Sequence, residues 1–221
     1  MAHQRPDILR AMLTVINGAM AALAGAVVLS LRPWRMLQGA LLTPALAALA
    51  LLPWLWLLPQ KMPQGLQVQL SGACLLVLML GWPLAVLVLG GVAAVVWGVG
   101  QAPAEAALHQ WVWIGLVPAT LALGIGAALR RWLPANPFVY TLGRAFLGTA
   151  VAVFVSGLLL EGLQQLAGLP VRDLSLVARW LMAWGDAFLT GMFGAIFVAF
   201  APQWLATWSD ARYLKPPAPP P

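Results

Sequence analysis

The chain has 221 residues, 62% hydrophobic and 8% charged, against about a quarter charged in ordinary soluble domains, which excludes a soluble globular fold. Its formal charge of +6 comes from cations scattered singly or in pairs between apolar runs, which excludes a basic nucleic-acid face and reads as membrane topology. A single cysteine, Cys74, excludes an internal disulfide and a cysteine-based metal cluster, and within an apolar run it reads as a small buried residue.

These features predict an all-α, polytopic integral membrane protein: one helical domain over residues 1 to 215, then a proline-rich tail. At about 20 apolar residues per ~30 Å crossing, the candidate spans lie near 11 to 31, 40 to 59, 66 to 82, 84 to 100, 111 to 129, 145 to 166 and 180 to 201, about seven helices. The first run follows Arg5 and Arg10. It is too long for a signal-peptide core and runs straight into Arg32-Pro33-Trp34-Arg35 without a small-residue cleavage site, so it reads as a span. Within it Gly18, Ala22, Ala26 and Ser30 recur four apart, a ladder that lets helix backbones approach inside the bundle or at a subunit contact.

The third and fourth runs are short and joined only through Gly81-Trp82-Pro83, which leaves a re-entrant or tightly turned pair open. Arg144 starts the sixth run and reads as a cytoplasmic anchor that snorkels; Glu161, near the other end, is expected at the outer interface near the level of Asp186. Tryptophans 34, 82, 97, 111, 132, 180 and 204 stand at or near run ends, as an interfacial belt requires. Lys215 and the proline-rich residues 216 to 221 cannot continue a helix and predict an extended, disordered cytoplasmic tail, with a ligand for a proline-reading module as the specific alternative.

An odd span count puts the termini on opposite sides. With the C-terminus inside, Arg32, Arg35, Arg130, Arg131, Arg144, Arg212 and Lys215 face the cytoplasm against Arg5, Arg10, Lys61, Arg172 and Arg179 outside, so the positive-inside rule gives N-out and C-in.

The last run carries Asp186, with no cation nearer in sequence than Arg179. A carboxylate there costs roughly 2.5 to 3.5 kcal/mol on insertion scales, so it must be paired, bound or neutralised. Ala183, Ala187, Gly191, Ala195 and Ala199 form a second small-residue ladder, and Asp186, Thr190 and Gly194 form the next row around the helix, beside that seam. For Asp186 and Glu161, ligand binding and structural hydrogen bonding are both open readings. His3 and His109 read either as solvated surface residues or, if Met1 is removed, as part of a nickel or copper site. In that site the Ala2-His3 terminus supplies its amine, a backbone amide and an imidazole. No phosphate loop, nucleophile elbow or zinc-protease pair is present, so no enzymatic activity and no resident cofactor are expected, and energy for any transport must come from a partner.

The segments Leu70-Ser71-Gly72-Ala73-Cys74, Asn136-Pro137-Phe138-Val139-Tyr140-Thr141-Leu142-Gly143-Arg144, Gly185-Asp186-Ala187-Phe188-Leu189-Thr190-Gly191 and Pro202-Gln203-Trp204-Leu205-Ala206-Thr207 resemble a bacterial family of inner-membrane proteins described as energy-coupling-factor transporter permease-like. That family is distantly similar to the cobalt/nickel substrate-capture component of such transporters. The resemblance covers roughly residues 66 to 215. It implies a multi-pass subunit of the bacterial inner membrane that captures a substrate from outside and works with a transmembrane coupling protein and ATPase subunits. In the metal-capture relatives the ligands are the free N-terminus, a histidine at the second position and a histidine in a His-x-x-Gly-Ala stretch. This chain has Ala2 at the second position and Gln69 where the further histidine stands, and glutamine is a poor ligand for nickel or cobalt. The resemblance thus implies substrate capture, and the candidate substrate contacts in this sequence are Asp186, Thr190, Glu161 and Gln69. The alternative class is a non-catalytic structural or assembly subunit of a membrane complex.

Overall fold

The structure is a computed structural model that describes residues 5–37, 39–61, 69–100, 102–168 and 175–214, without the side chains of residues 5–10, 59–61 and 175. The expected sites at His3 and the N-terminal amine, and the tail 216 to 221, lie outside these residues.

Eight helices follow one another among the described residues: α1 (Arg5–Leu31), α2 (Leu42–Lys61), α3 (Ala73–Leu80), α4 (Trp82–Val99), α5 (Ala104–Trp132), α6 (Val139–Leu166), α7 (Ser175–Phe200) and the short α8 (Asp210–Tyr213). Six of these, α1, α2 and α4 to α7, are long and apolar enough to cross a membrane. The protein is thus an all-α chain with the features of a multi-pass membrane protein. Large apolar side chains such as Val15, Leu23, Leu51, Trp54, Trp132 and Phe200 are exposed, as suits a surface covered by lipid.

Two expectations about run boundaries change. The third run contributes a helix of only 8 residues, about 12 Å at 1.5 Å per residue and far short of a bilayer. Gly72 (φ 67°) and Gly81 (φ 75°) bound it, each in a conformation that L side chains rarely adopt, so the chain breaks at both ends. Trp111, expected at a run end, instead lies inside α5, which begins at Ala104.

The middle of α5, Trp111–Leu116, is π-helical, and Pro118 explains why. Proline has no N–H and crowds the carbonyl four residues back, so the backbone widens and leaves carbonyls without helical partners. Side chains from other elements take them: Ser71 Oγ donates to Ile114 O (2.5 Å) and Ser156 Oγ to Trp113 O (3.0 Å). A second π stretch, Val139–Leu147, opens α6 and contains Arg144.

α4 forms the centre, with Leu84, Ala85, Leu89 and Val92 fully buried against α1, α2, α3 and α5. α6 and α7 pack closely on one another. An added Cβ at Gly194 would sit 3.0 Å from Ala145 Cβ, and one at Gly191 3.0 Å from Phe146 Cβ, so small residues do set that seam.

The ladders divide differently from the sequence expectation. Ala183 and Ala187 are buried, but Ala195 and Ala199 are exposed because the buried row passes to Thr190 and Gly194. On α1, Ala22, Ala26 and Ser30 are exposed, and an added Cβ at Gly18 would meet nothing within 4 Å. The buried face of α1 is instead Asn17, Ala24 and Val28, so Ala22, Ala26 and Ser30 of its ladder stand exposed among the described residues.

Candidate functional site

Asp186 lies near the middle of α7 and is 2% exposed. Its carboxylate accepts hydrogen bonds from the backbone of the segment that opens α3. Ser71 N donates to both oxygens (3.1 and 2.9 Å) and Gly72 N to Oδ1 (3.2 Å). Gly72 is the N-cap of α3 and its N–H has no internal partner, Ser71 directly precedes it, and the helix dipole favours a negative charge there, so a carboxylate supplied by another helix suits the position. Ser71 completes the start: Ala73 N donates to its Oγ (3.1 Å) and Trp56 Nε1 to its carbonyl (3.2 Å). Gln110 Nε2 then donates to Trp56 O (3.0 Å), tying α2 to α5.

The other end of α3 is closed by the chain that leaves α7. Ala206 N donates to Met79 O (2.9 Å), and Thr207 gives both its N–H (3.3 Å) and its hydroxyl (2.9 Å) to Leu78 O. Because the Thr207 hydroxyl proton is committed to Leu78, Tyr140 must be the donor in the 2.9 Å contact between the two hydroxyls. α3 is therefore a half-length helix, its start fixed at the mid-length of α7 and its end fixed by the segment after α7.

Beside it, α2, α3 and α7 line a half-open cavity of about 260 Å³. Its walls are mostly apolar, Leu52, Leu75, Met79, Leu189 and Phe193 among them, and Thr43, Asp186 and Thr190 are polar residues along it. Such an apolar space with few polar groups suits a low-polarity body better than a hydrated ion. Gly72 also lines it, with the side chain of Leu52 pressed so close that an added Cβ would lie 2.6 Å from Leu52 Cδ2.

The residues singled out in sequence do not all meet here. Asp186 and Thr190 share the cavity; Gln69 lies in the non-helical segment before α3 and is not among its walls. Glu161 is displaced from its expected level: it pairs with Arg179 (Nε to Oε2, 2.9 Å), two helical turns from Asp186 along α7. His109 contacts Asn17 (Nδ1 to Nδ2, 3.1 Å), whose Oδ1 accepts from Trp113 Nε1 (2.9 Å), so it ties α5 to α1. Among the described residues, no three His, Cys, Asp or Glu side chains come together in a way that could hold a metal ion.

Arg144 departs furthest from expectation. It does not snorkel: it is 6% exposed, and its guanidinium packs on Gly126 of α5.

Comparison with protein-family models, curated proteins and solved structures found no match. The site therefore rests on its own geometry. Ser71 and Gly72, which organise it, carried a readable signal: a Ser-Gly pair before an apolar run is a helix start.

Proposed function

We propose that this chain is the substrate-capture or permease component of an energy-coupling-factor-type transporter in a bacterial inner membrane. The observation that carries this reading is the half-length α3, whose non-helical entry segment is buried in the bundle beside the 260 Å³ cavity. Irregular backbone at membrane depth is tolerated where protein encloses it or where it lines a cavity, and broken helices are where transporters build their sites. Asp186 serves by fixing the broken helix, and Thr190 with the apolar wall forms the contact surface.

The cavity favours a substrate with a largely apolar body. A divalent metal is a weaker fit, because His109 is engaged with Asn17 and the remaining ligands of that reading lie outside the described residues. The partners of the proposal are the lipid bilayer, a transmembrane coupling protein and ATPase subunits. Purification of the tagged full chain from native membranes tests it: ATPase and coupling subunits should copurify. Repeated recovery without either overturns it.

The assembly-subunit reading keeps one specific support, the small-residue face of α1 that stands exposed among the described residues. It predicts that a bulky Ala22→Leu, Ala26→Leu change breaks a complex while leaving the monomer folded. Unchanged complexes would reject it.

A further inference from the structure

Arg144 is a buried cation without a built-in partner. None of its Nε, Nη1 and Nη2 atoms has a partner within strict hydrogen-bond distance and angle, and the Tyr213 hydroxyl is the polar side chain near enough to favour its charge. Burying a charge that lacks well-formed hydrogen bonds is costly, and the cost falls if something from outside supplies them. The Tyr140 ring, 5.8 Å from Cζ, contributes a cation–π contact that is too weak for the purpose.

No described carboxylate is placed to help. Glu161 is held by Arg179, Asp186 by the start of α3, and Asp210 accepts from Trp208 Nε1 (2.6 Å). Glu105 lies in the first turn of α5, at the opposite end of that helix from Arg130.

What Arg144 faces is a second cavity, of about 60 Å³, between α5, α6 and α8. Arg130 and Arg212, both exposed, border it too, so three arginines surround one small space. By the same measure a water needs about 10 to 15 Å³, so the cavity has room for a small tetrahedral anion. The site is shaped around the guanidinium: an added Cβ at Gly126 would lie 2.6 Å from Arg144 Nε. Arg130 is anchored by its Nε donating to Gly126 O (3.2 Å). The far wall is rigid, because Tyr140 packs edge-on to Trp208 and Tyr213, which stack on each other at 4.7 Å.

We propose that the cavity of Arg130, Arg144 and Arg212 binds a phosphate group, either inorganic phosphate or the phosphodiester of a lipid headgroup. Guanidinium forks match phosphate oxygens two at a time, and a carboxylate has too few oxygens to satisfy three forks. The position fits both sources, since Arg130 and Arg131 end α5 beside the exposed Trp132, where headgroups lie.

The test uses the full-length protein in a neutral detergent. In one arm, inorganic phosphate is titrated against chloride at matched ionic strength and thermal unfolding is followed. In the other, native mass spectrometry counts phospholipid retained from nanodiscs containing phosphatidylglycerol. Binding in the first arm identifies free phosphate and binding in the second a headgroup. In either case Arg144→Gln and Arg212→Gln should each weaken binding by about tenfold or more. Arg212 is exposed, so its variant keeps the test decisive if Arg144→Gln fails to fold. Absence of binding in both arms, or equal binding by wild type and Arg212→Gln, overturns the proposal.

Discussion

Asp186 and Arg144 are both buried charges on neighbouring, closely packed helices, yet the fold treats them in opposite ways. Asp186 receives hydrogen bonds from two backbone N–H groups and spends its charge on the start of α3. Arg144 donates none in strict geometry and borders a cavity lined by two more arginines. A buried charge whose partners are part of the chain holds architecture together; one whose partners are missing marks a place for something from outside. Sequence pattern leaves Asp186 open between ligand binding and structural hydrogen bonding, and it reads Arg144, a cation at a run end, as an anchor.

Substitutions can break or sharpen this contrast. Asp186→Leu should have the largest effect, about 3 to 5 kcal/mol of lost stability, because it strands two buried donors at a helix start. Asp186→Asn, which keeps an acceptor oxygen, should lose clearly less; thermal unfolding in detergent ranks the two. Arg144→Met should move the other way in phosphate-free buffer, neutral to about 4 kcal/mol stabilising, since it removes an uncompensated charge and strands no partner. A loss comparable with that of Asp186→Leu would mean that Arg144 is also spent on the fold.

Gly126→Ala should cost about 1 to 3 kcal/mol by forcing the guanidinium aside. In an Arg144→Met background that cost should largely disappear, and a double-mutant cycle reads the difference. The smallest effect belongs to Thr207→Val, about 1 kcal/mol from the lost hydroxyl bond to Leu78 O. Its signature is local: faster hydrogen exchange at the C-terminal end of α3 and an unchanged start.

Most of the helical plan was legible, because a long apolar run has few alternatives in lipid. Gly81-Trp82-Pro83 also marked the weak point at which α3 ends. The pairing of Glu161 with Arg179 was not legible, since it depends on how α6 and α7 are offset, and nothing in either run fixes that offset. Arg144 was misjudged for two physical reasons. It reads in sequence as the start of a run, but the helix begins five residues earlier at Val139, so Arg144 lies inside it, in a π-helical stretch. It is also covered by the segment after α7, whose return onto α3 depends on contacts more than a hundred residues apart in sequence, such as Thr207 to Leu78. The α1 ladder shows the converse limit: spacing reveals a face suited to close packing and leaves open what packs there.

The central claim is that Asp186 holds the start of α3 through backbone amides. Residue-resolved hydrogen exchange at Ser71 and Gly72 in the intact protein tests it most directly. These two amides should exchange as slowly as the buried core of α4 in the wild type and lose that protection in Asp186→Leu. Loop-like exchange at Ser71 and Gly72 in the wild type would contradict the account.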